Sequence, residues 1–337
     1  MFVMRLNTWY TVCDCGQLRV SANCMINAVL SSFSDDTLRH MSATMGVPRT
    51  TLHTWIQSGL TLLESAVKSL IAWPSLRQCV VNSTEFLGVC DINGIVGAVD
   101  CSHIAILPRE SERIAYTNRK SFYSIHLLAV VDARGRFIFV DIGCAGSMAD
   151  TTVLCTSKLA TSQTVRARCS RLPPIPYGYF LLADAGFASL PWVVQNYSTL
   201  HCTESIACQK FNNCIGRGRG IVERAYGQLK MRFKRLGGRS SYDRKEQVAR
   251  MVRVCCGLHN LNIDMEAELF GALRVRSQCQ AVAPLPEVVR LQHLHTAPPV
   301  GTRLGADQVV REAAYAVRRA VADSTLERRG YALKVKY

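Results

Sequence analysis

Apolar positions recur at helical spacing over the first seventy or so residues and then give way to short apolar runs. In SDDTLRHMSATMGVPRTTLHTWIQ, Leu38, Met41 and Met45 share one helical face, and Leu52, Trp55 and Ile56 share another. Ser34 or Asp35 is placed to cap the first of these helices, Gly46 to end it, and Pro48 to open the second. The pair has the pattern of a helix-turn-helix. In such a unit the start of the second helix enters the major groove, so Arg49, Thr50, Thr51 and His53 are the candidate DNA contacts. A helical hairpin that only packs on its neighbour has the same pattern. Helical spacing stops around Trp73 and Pro74.

From about residue 90 the pattern is that of strands. GIVGAVDCSHIAIL reads as a strand buried on both faces, SFYSIHLLAVVDARGRFIFVDIGCAG as a hairpin bending at Gly135, SMADTTVLCTSKL as a short helix, and YFLLADAGF as a further strand. After LPWVVQNY, an irregular polar loop through Cys214 leads to a long helix from about Ile221. This order predicts an α/β fold: a mixed sheet flanked by helices, with a small helical N-terminal region. The expected organisation is a helical region over 1–75, a core over 76–272, and a linker with a C-terminal helix over 273–337. Pro284, Pro286, Pro298 and Pro299 punctuate the linker; ADQVVREAAYAVRRAVADSTLERRGY reads as an amphipathic docking helix rather than a nucleic-acid arm.

Composition narrows the class. Hydrophobic residues make up 48% and charged residues 19% of the 337, which excludes a disordered chain. A formal charge of +15 favours a polyanionic partner, nucleic acid before membrane. MFVMRLNTWY lacks the apolar core of a signal peptide and no apolar run reaches the length of a membrane span, so an intracellular protein is expected. The cysteines number 15, odd and scattered, which points to reduced thiols instead of a disulfide scaffold. Cys13 with Cys15, and His201, Cys202, Cys208 and Cys214, lack the paired spacing of tetrahedral zinc sites. Cys255, Cys256 and His259 fall on one helical face and read as core.

Three acids stand out against this background. Asp100 and Asp184 sit in apolar strand sequence, where a carboxylate is costly unless a cation compensates it, and Glu223 lies on the basic helix RGRGIVERAYGQLKMRFKRL. Hydrolysis of a phosphodiester needs an activated water and neutralised phosphoryl charge, which two divalent cations about 4 Å apart supply. Mg²⁺ or Mn²⁺ takes carboxylate oxygens from a few such acids. Asp150, at the start of the helix after the hairpin, is a fourth candidate ligand, although an acid there also suits a helix start. Asp132 and Asp141 bracket the hairpin and suit turns. On the long helix Glu223, Gly227, Lys230 and Lys234 form a stripe beside the core face, along which a backbone phosphate can lie. Arg119 and Lys120 form a basic loop with Tyr116 and Asn118, suited to phosphate or to solvent, and His103 is placed to orient Asp100 or to meet substrate.

GIVGAVDCSHIAI, YTNRKSFYSIHLLAVVDARGRF, GSMADTTVL, FLLADAGFASLPWVV, GRGIVERAYGQLKMRFKRL and VCCGLHN, in that order over about residues 70–265, resemble the PIF/Harbinger transposases and the domesticated nucleases derived from them. The resemblance implies a ribonuclease-H-like DDE domain, with Asp100, Asp184 and Glu223 as catalytic acids and Asp150 matching a further acid of the family. It also implies DNA as substrate, a nuclear site of action and a Myb-like DNA-binding partner protein; a homo-oligomer is a further candidate state. The chain departs from the family's pattern at Cys101 and Ser102, where glycine and threonine are usual, and at Ala149, where histidine is usual. The expected activity is a metal-dependent DNA endonuclease. The rivals are a catalytically silent DNA-binding or adaptor protein on the same fold and an enzyme acting on RNA.

Overall fold

A computed structural model describes residues 22–34, 36–163, 175–198, 205–238, 245–274 and 315–325, with side chains to 268 in the fifth span. Cys13, Cys15, Asp35, His201, Cys202 and the proline-punctuated linker lie outside the described residues.

The helical N-terminal region begins with α1 (Ala22–Ser32), α2 (Leu38–Met45) and α3 (Arg49–Val67). Gly46 ends α2 in the left-handed conformation at φ 67, and Pro48 precedes α3, as the sequence predicts. The cap of α2 differs. Thr37 fills it, its hydroxyl accepting the His40 N–H at 3.2 Å, whereas the Ser34 hydroxyl donates back to the Ser31 carbonyl. Ser75 caps α4 (Leu76–Cys90), one residue after Pro74.

Five strands follow: β1 (Ile95–Ala105), β2 (Ser124–Val131), β3 (Phe137–Ala145), β4 (Phe180–Ala183) and β5 (Val193–Gln195). Their order in the sheet is β3-β2-β1-β4-β5. The β1, β2 and β3 neighbours pair antiparallel, and β4 pairs parallel with both β1 and β5. This is the mixed sheet of a ribonuclease-H-like α/β fold. The hairpin bends at Gly135, φ +84, where Asp132 accepts the backbone N–H groups of Arg134 and Arg136. The sequence pattern leaves β5 and α4 unrecognised; β5 is only three residues, too short a run to show alternation.

Two short helices, α5 (Asp150–Thr156) and α6 (Lys158–Ser162), follow the hairpin. The long helix α7 covers Ile206–Arg232, so the stretch through Cys214 is helical and no loop occupies it. Its glycines disguise it. Gly218 is needed where α7 crosses the sheet, because a Cβ there would sit 2.3 Å from the Leu182 side chain. Phe233 breaks the helix, which leaves Lys234 in a short 3₁₀ turn beyond the predicted stripe.

Helix α8 (Lys245–Arg274) closes the far side. Its Cys255, Cys256 and His259 are buried in the core, as their spacing predicts. Asn260 beside them accepts the Phe137 N–H and donates to the Leu70 and Phe137 carbonyls, each at 2.8 Å. Residues 315–325 are helical and contribute Val317, Val321 and Ala322 to the same hydrophobic cluster as α1, α3, the sheet and α8. Arg318 reaches the Asn196 carbonyl and lies over the Tyr197 ring, which makes this segment a docking helix. Cys90, Cys101, Cys208, Cys214, Cys255 and Cys256 are free thiols. No described helix is long and apolar enough to cross a membrane.

Candidate active site

Strand register brings the first two acids together. Ala98 pairs with Leu182 in the parallel β1–β4 ladder, so two residues onward Asp100 stands level with Asp184, just past the end of β4. Successive side chains of a strand point to opposite faces. Ala98 and Ile104 pack in one core cluster and Val99 and Cys101 in the other, which puts Asp100 on the face covered by α7.

Tyr226 docks that helix at the same point. Its buried hydroxyl lies 2.7 Å from the carbonyl of Asp100 itself and 3.1 Å from that of Leu127. Glu223 is therefore held about one helical turn away, toward Asp184. Between the acids lies Arg219, whose guanidinium is 3.4 Å from Asp184 and 3.1 Å from Glu223. Its side chain is 15% exposed against 49% and 57% for those two partners, and its Nε has no hydrogen-bond partner among the described residues. Burial pushes the Asp100 carboxyl up to about 6; Asp150 and Glu223 push the same way, against the Cys101 N–H at 2.8 Å and the Arg219 charge.

Asp150 is not brought onto this face. It opens α5 on the opposite side of the sheet, where it meets Cys101 and His126. His103 shares that parity: its Nδ1 lies 3.0 Å from the Ser124 hydroxyl and its ring 4.5 Å from that of His126. It does not orient Asp100.

Lys230 is tied to β1 through the Ser102 hydroxyl at 2.8 Å and the His103 carbonyl at 3.0 Å, with its basicity lowered by burial. Lys234 is exposed. Arg119 and Lys120 are exposed on a tight turn held by Asn118, whose side chain accepts the Lys120 and Phe122 N–H groups and donates to Ser124. The charge of Arg119 acts on His103 and His126, and that of Lys120 on Lys230, so this loop borders the site. Arg49, Thr50 and His53 are exposed and Thr51 half-buried at the start of α3. Sequence inspection misses Arg219, although its place one turn before Glu223 was the available signal, and misses the pairing of Cys101 with His126.

Residues 99–260 match the family described as DDE superfamily endonuclease, a span that carries all three acids. The chain carries a DDE endonuclease domain. Among the relatives of this DDE protein, "Putative nuclease HARBI1" of Rattus norvegicus is 25% identical over 75% of this chain and 70% of its own length. The Mus musculus protein of that name is 27% identical over 75% and 70%, and "Protein ALP1-like" of Arabidopsis thaliana 27% over 69% and 58%. These matches make the DDE chain a homologue of Harbinger-derived nucleases. No solved structure matches it.

Proposed function

We propose that this protein is a DNA endonuclease that hydrolyses phosphodiester bonds with divalent cations held by Asp100, Asp184 and Glu223. The observation that supports the proposal is Arg219: its guanidinium lies 3.4 Å from Asp184 and 3.1 Å from Glu223, so the two carboxylates converge on a place where positive charge is favourable. The donors are all oxygen, the set that hard Mg²⁺ or Mn²⁺ takes. Bound cations would supply an activated water and neutralise charge on the transferring phosphoryl group.

The chain's own residues do the rest. Tyr226 fixes the helix carrying Glu223 against the strand carrying Asp100. Burial keeps Asp100 protonated up to about pH 6 until a cation arrives, so the site favours its loaded state above that pH. Arg119 and Lys120 flank the site as point charges for the DNA backbone, and the start of α3 offers Arg49, Thr50, Thr51 and His53 to the major groove. Nuclear DNA is the substrate on this reading, with a Myb-like partner as its guide.

The test is cleavage of a labelled duplex by the purified full chain with and without Mn²⁺. Asp184→Asn is expected to leave the fold intact and lower cleavage roughly 100-fold or more, the loss of several kcal/mol of charge stabilisation. Retained cleavage removes the assignment. A wild-type chain that retains DNA without metal-stimulated cleavage is instead the adaptor, and preference for matched RNA makes it a ribonuclease.

A further inference from the structure

Behind the acidic trio, on the other face of β1, a second set of donors converges. Cys101 Sγ from β1, the His126 ring from β2 and an Asp150 carboxylate oxygen from α5 lie within 4.8 Å of one another. His126 is 1% exposed. Its Nε2 is 3.0 Å from the Met148 carbonyl, which only accepts, so Nε2 carries the proton and Nδ1 presents a bare lone pair. That lone pair is buried, without a hydrogen-bond partner among the described residues, and 3.6 Å from Asp150 Oδ1. A buried lone pair facing a half-buried carboxylate oxygen is a place that favours a cation between them.

We propose that Cys101, His126 and Asp150 bind one divalent ion of the zinc class, at a site distinct from the acidic trio and independent of the nuclease assignment. Sulfur, nitrogen and oxygen donors together select Zn²⁺ over Mg²⁺ or Mn²⁺. The 3.6 Å between Nδ1 and Oδ1 already suits two ligands that share a tetrahedral ion at about 2.0–2.2 Å each. The Met148 carbonyl is the outer partner that orients a ligating imidazole. Loading forms the metal–sulfur bond, and the thiol proton it displaces goes to solvent. Three protein ligands leave a fourth position open to water. The ion ties β1, β2 and α5 together and fixes the Cys101 peptide, whose N–H the Asp100 carboxylate accepts at 2.8 Å.

Titration of the chelator-stripped full chain with Co²⁺ and with Zn²⁺ tests the site. One equivalent of Co²⁺ is expected to give a thiolate-to-metal charge-transfer absorption that Zn²⁺ abolishes and Mg²⁺ does not. Cys101→Ser removes the absorption, and His126→Gln weakens Zn²⁺ binding about tenfold or more. Asp184→Asn loses cleavage yet keeps both signals, which separates this site from the nuclease assignment. In the wild type, without any substitution, Zn²⁺ shields Cys101 from alkylation as read by mass spectrometry. Absence of the absorption, its survival in Cys101→Ser, or a Cys101 that alkylates freely in excess Zn²⁺ overturns the site.

Discussion

An arginine between carboxylates and a divalent ion between the same carboxylates neutralise the same charge, so they compete. In the metal-free protein Arg219 spans Asp184 and Glu223 and lowers the cost of ionising buried Asp100. A cation entering that space has to displace the guanidinium from at least one oxygen, because both bind there by charge. Removing the arginine therefore helps the ion and harms the empty site. Arg219→Ala is expected to tighten Mn²⁺ binding several-fold, on the order of 1 kcal/mol for partly exposed ion pairs, and to lower the melting temperature of the metal-free chain. Calorimetric titration with Mn²⁺ checks the first and thermal unfolding in chelator the second. Weaker Mn²⁺ binding in the variant would mean that Arg219 holds the acids in position instead of competing for them. In the sequence this role leaves only a faint signal, a place one helical turn before Glu223. Arg219 is one of several cations in GRGRGIVER, and only the approach of α7 to the end of β4 selects it.

At the scale of elements, α8 is held on the hairpin by His259 as well as by Asn260. His259 Nε2 donates to the Gly135 carbonyl at 3.1 Å and its Nδ1 accepts from Arg232 at 3.0 Å, so the folded ring is neutral. Burial lowers its pKa from 6.5 to about 4, with the Arg232 charge acting in the same direction. Between those two values the unfolded chain holds the proton and the folded chain does not, so stability rises with pH across that window and is lost as pH falls through it. The histidine's share is roughly 2–4 kcal/mol. His259→Gln is expected to flatten urea-measured stability between pH 6.5 and 4, leaving the slope that His103 and His126 contribute; an unchanged slope contradicts the assignment. Elements whose signals are local were legible in the sequence. Gly46 and Pro48 mark the α2–α3 turn and Gly135 the hairpin, because each acts through its own backbone. The start of α7 at Ile206 was not legible, since Gly216, Gly218 and Gly220 lower helix propensity and only packing on Leu182 and Cys90 explains Gly218. Face assignment was not legible either. Asp100 and Asp150 look alike as isolated acids, and only the packing of α5 on the Cys101 and His126 side of the sheet separates the second from Glu223.

For the whole molecule the decisive quantity is charge. A surplus of 15 positive charges favours any polyanion, and such attraction carries no sequence information. What makes it useful is where the cations stand. Arg119 and Lys120 are exposed on a turn held by Asn118, and on the proposed reading a duplex drawn to them would lie across Asp100, Asp184 and Glu223. Each cation that contacts a phosphate releases about one counterion, and the logarithm of the binding constant falls with the logarithm of salt by about 0.9 per contact. Arg119→Ala with Lys120→Ala is therefore expected to reduce that slope by about 2 while leaving any sequence preference intact. Arg49→Ala, at the start of α3, is expected to reduce it by about 1. Measured on the metal-free chain, where no cleavage interferes, a slope unchanged in the double variant would route the DNA away from this loop and detach the basic margin from the acidic site it borders.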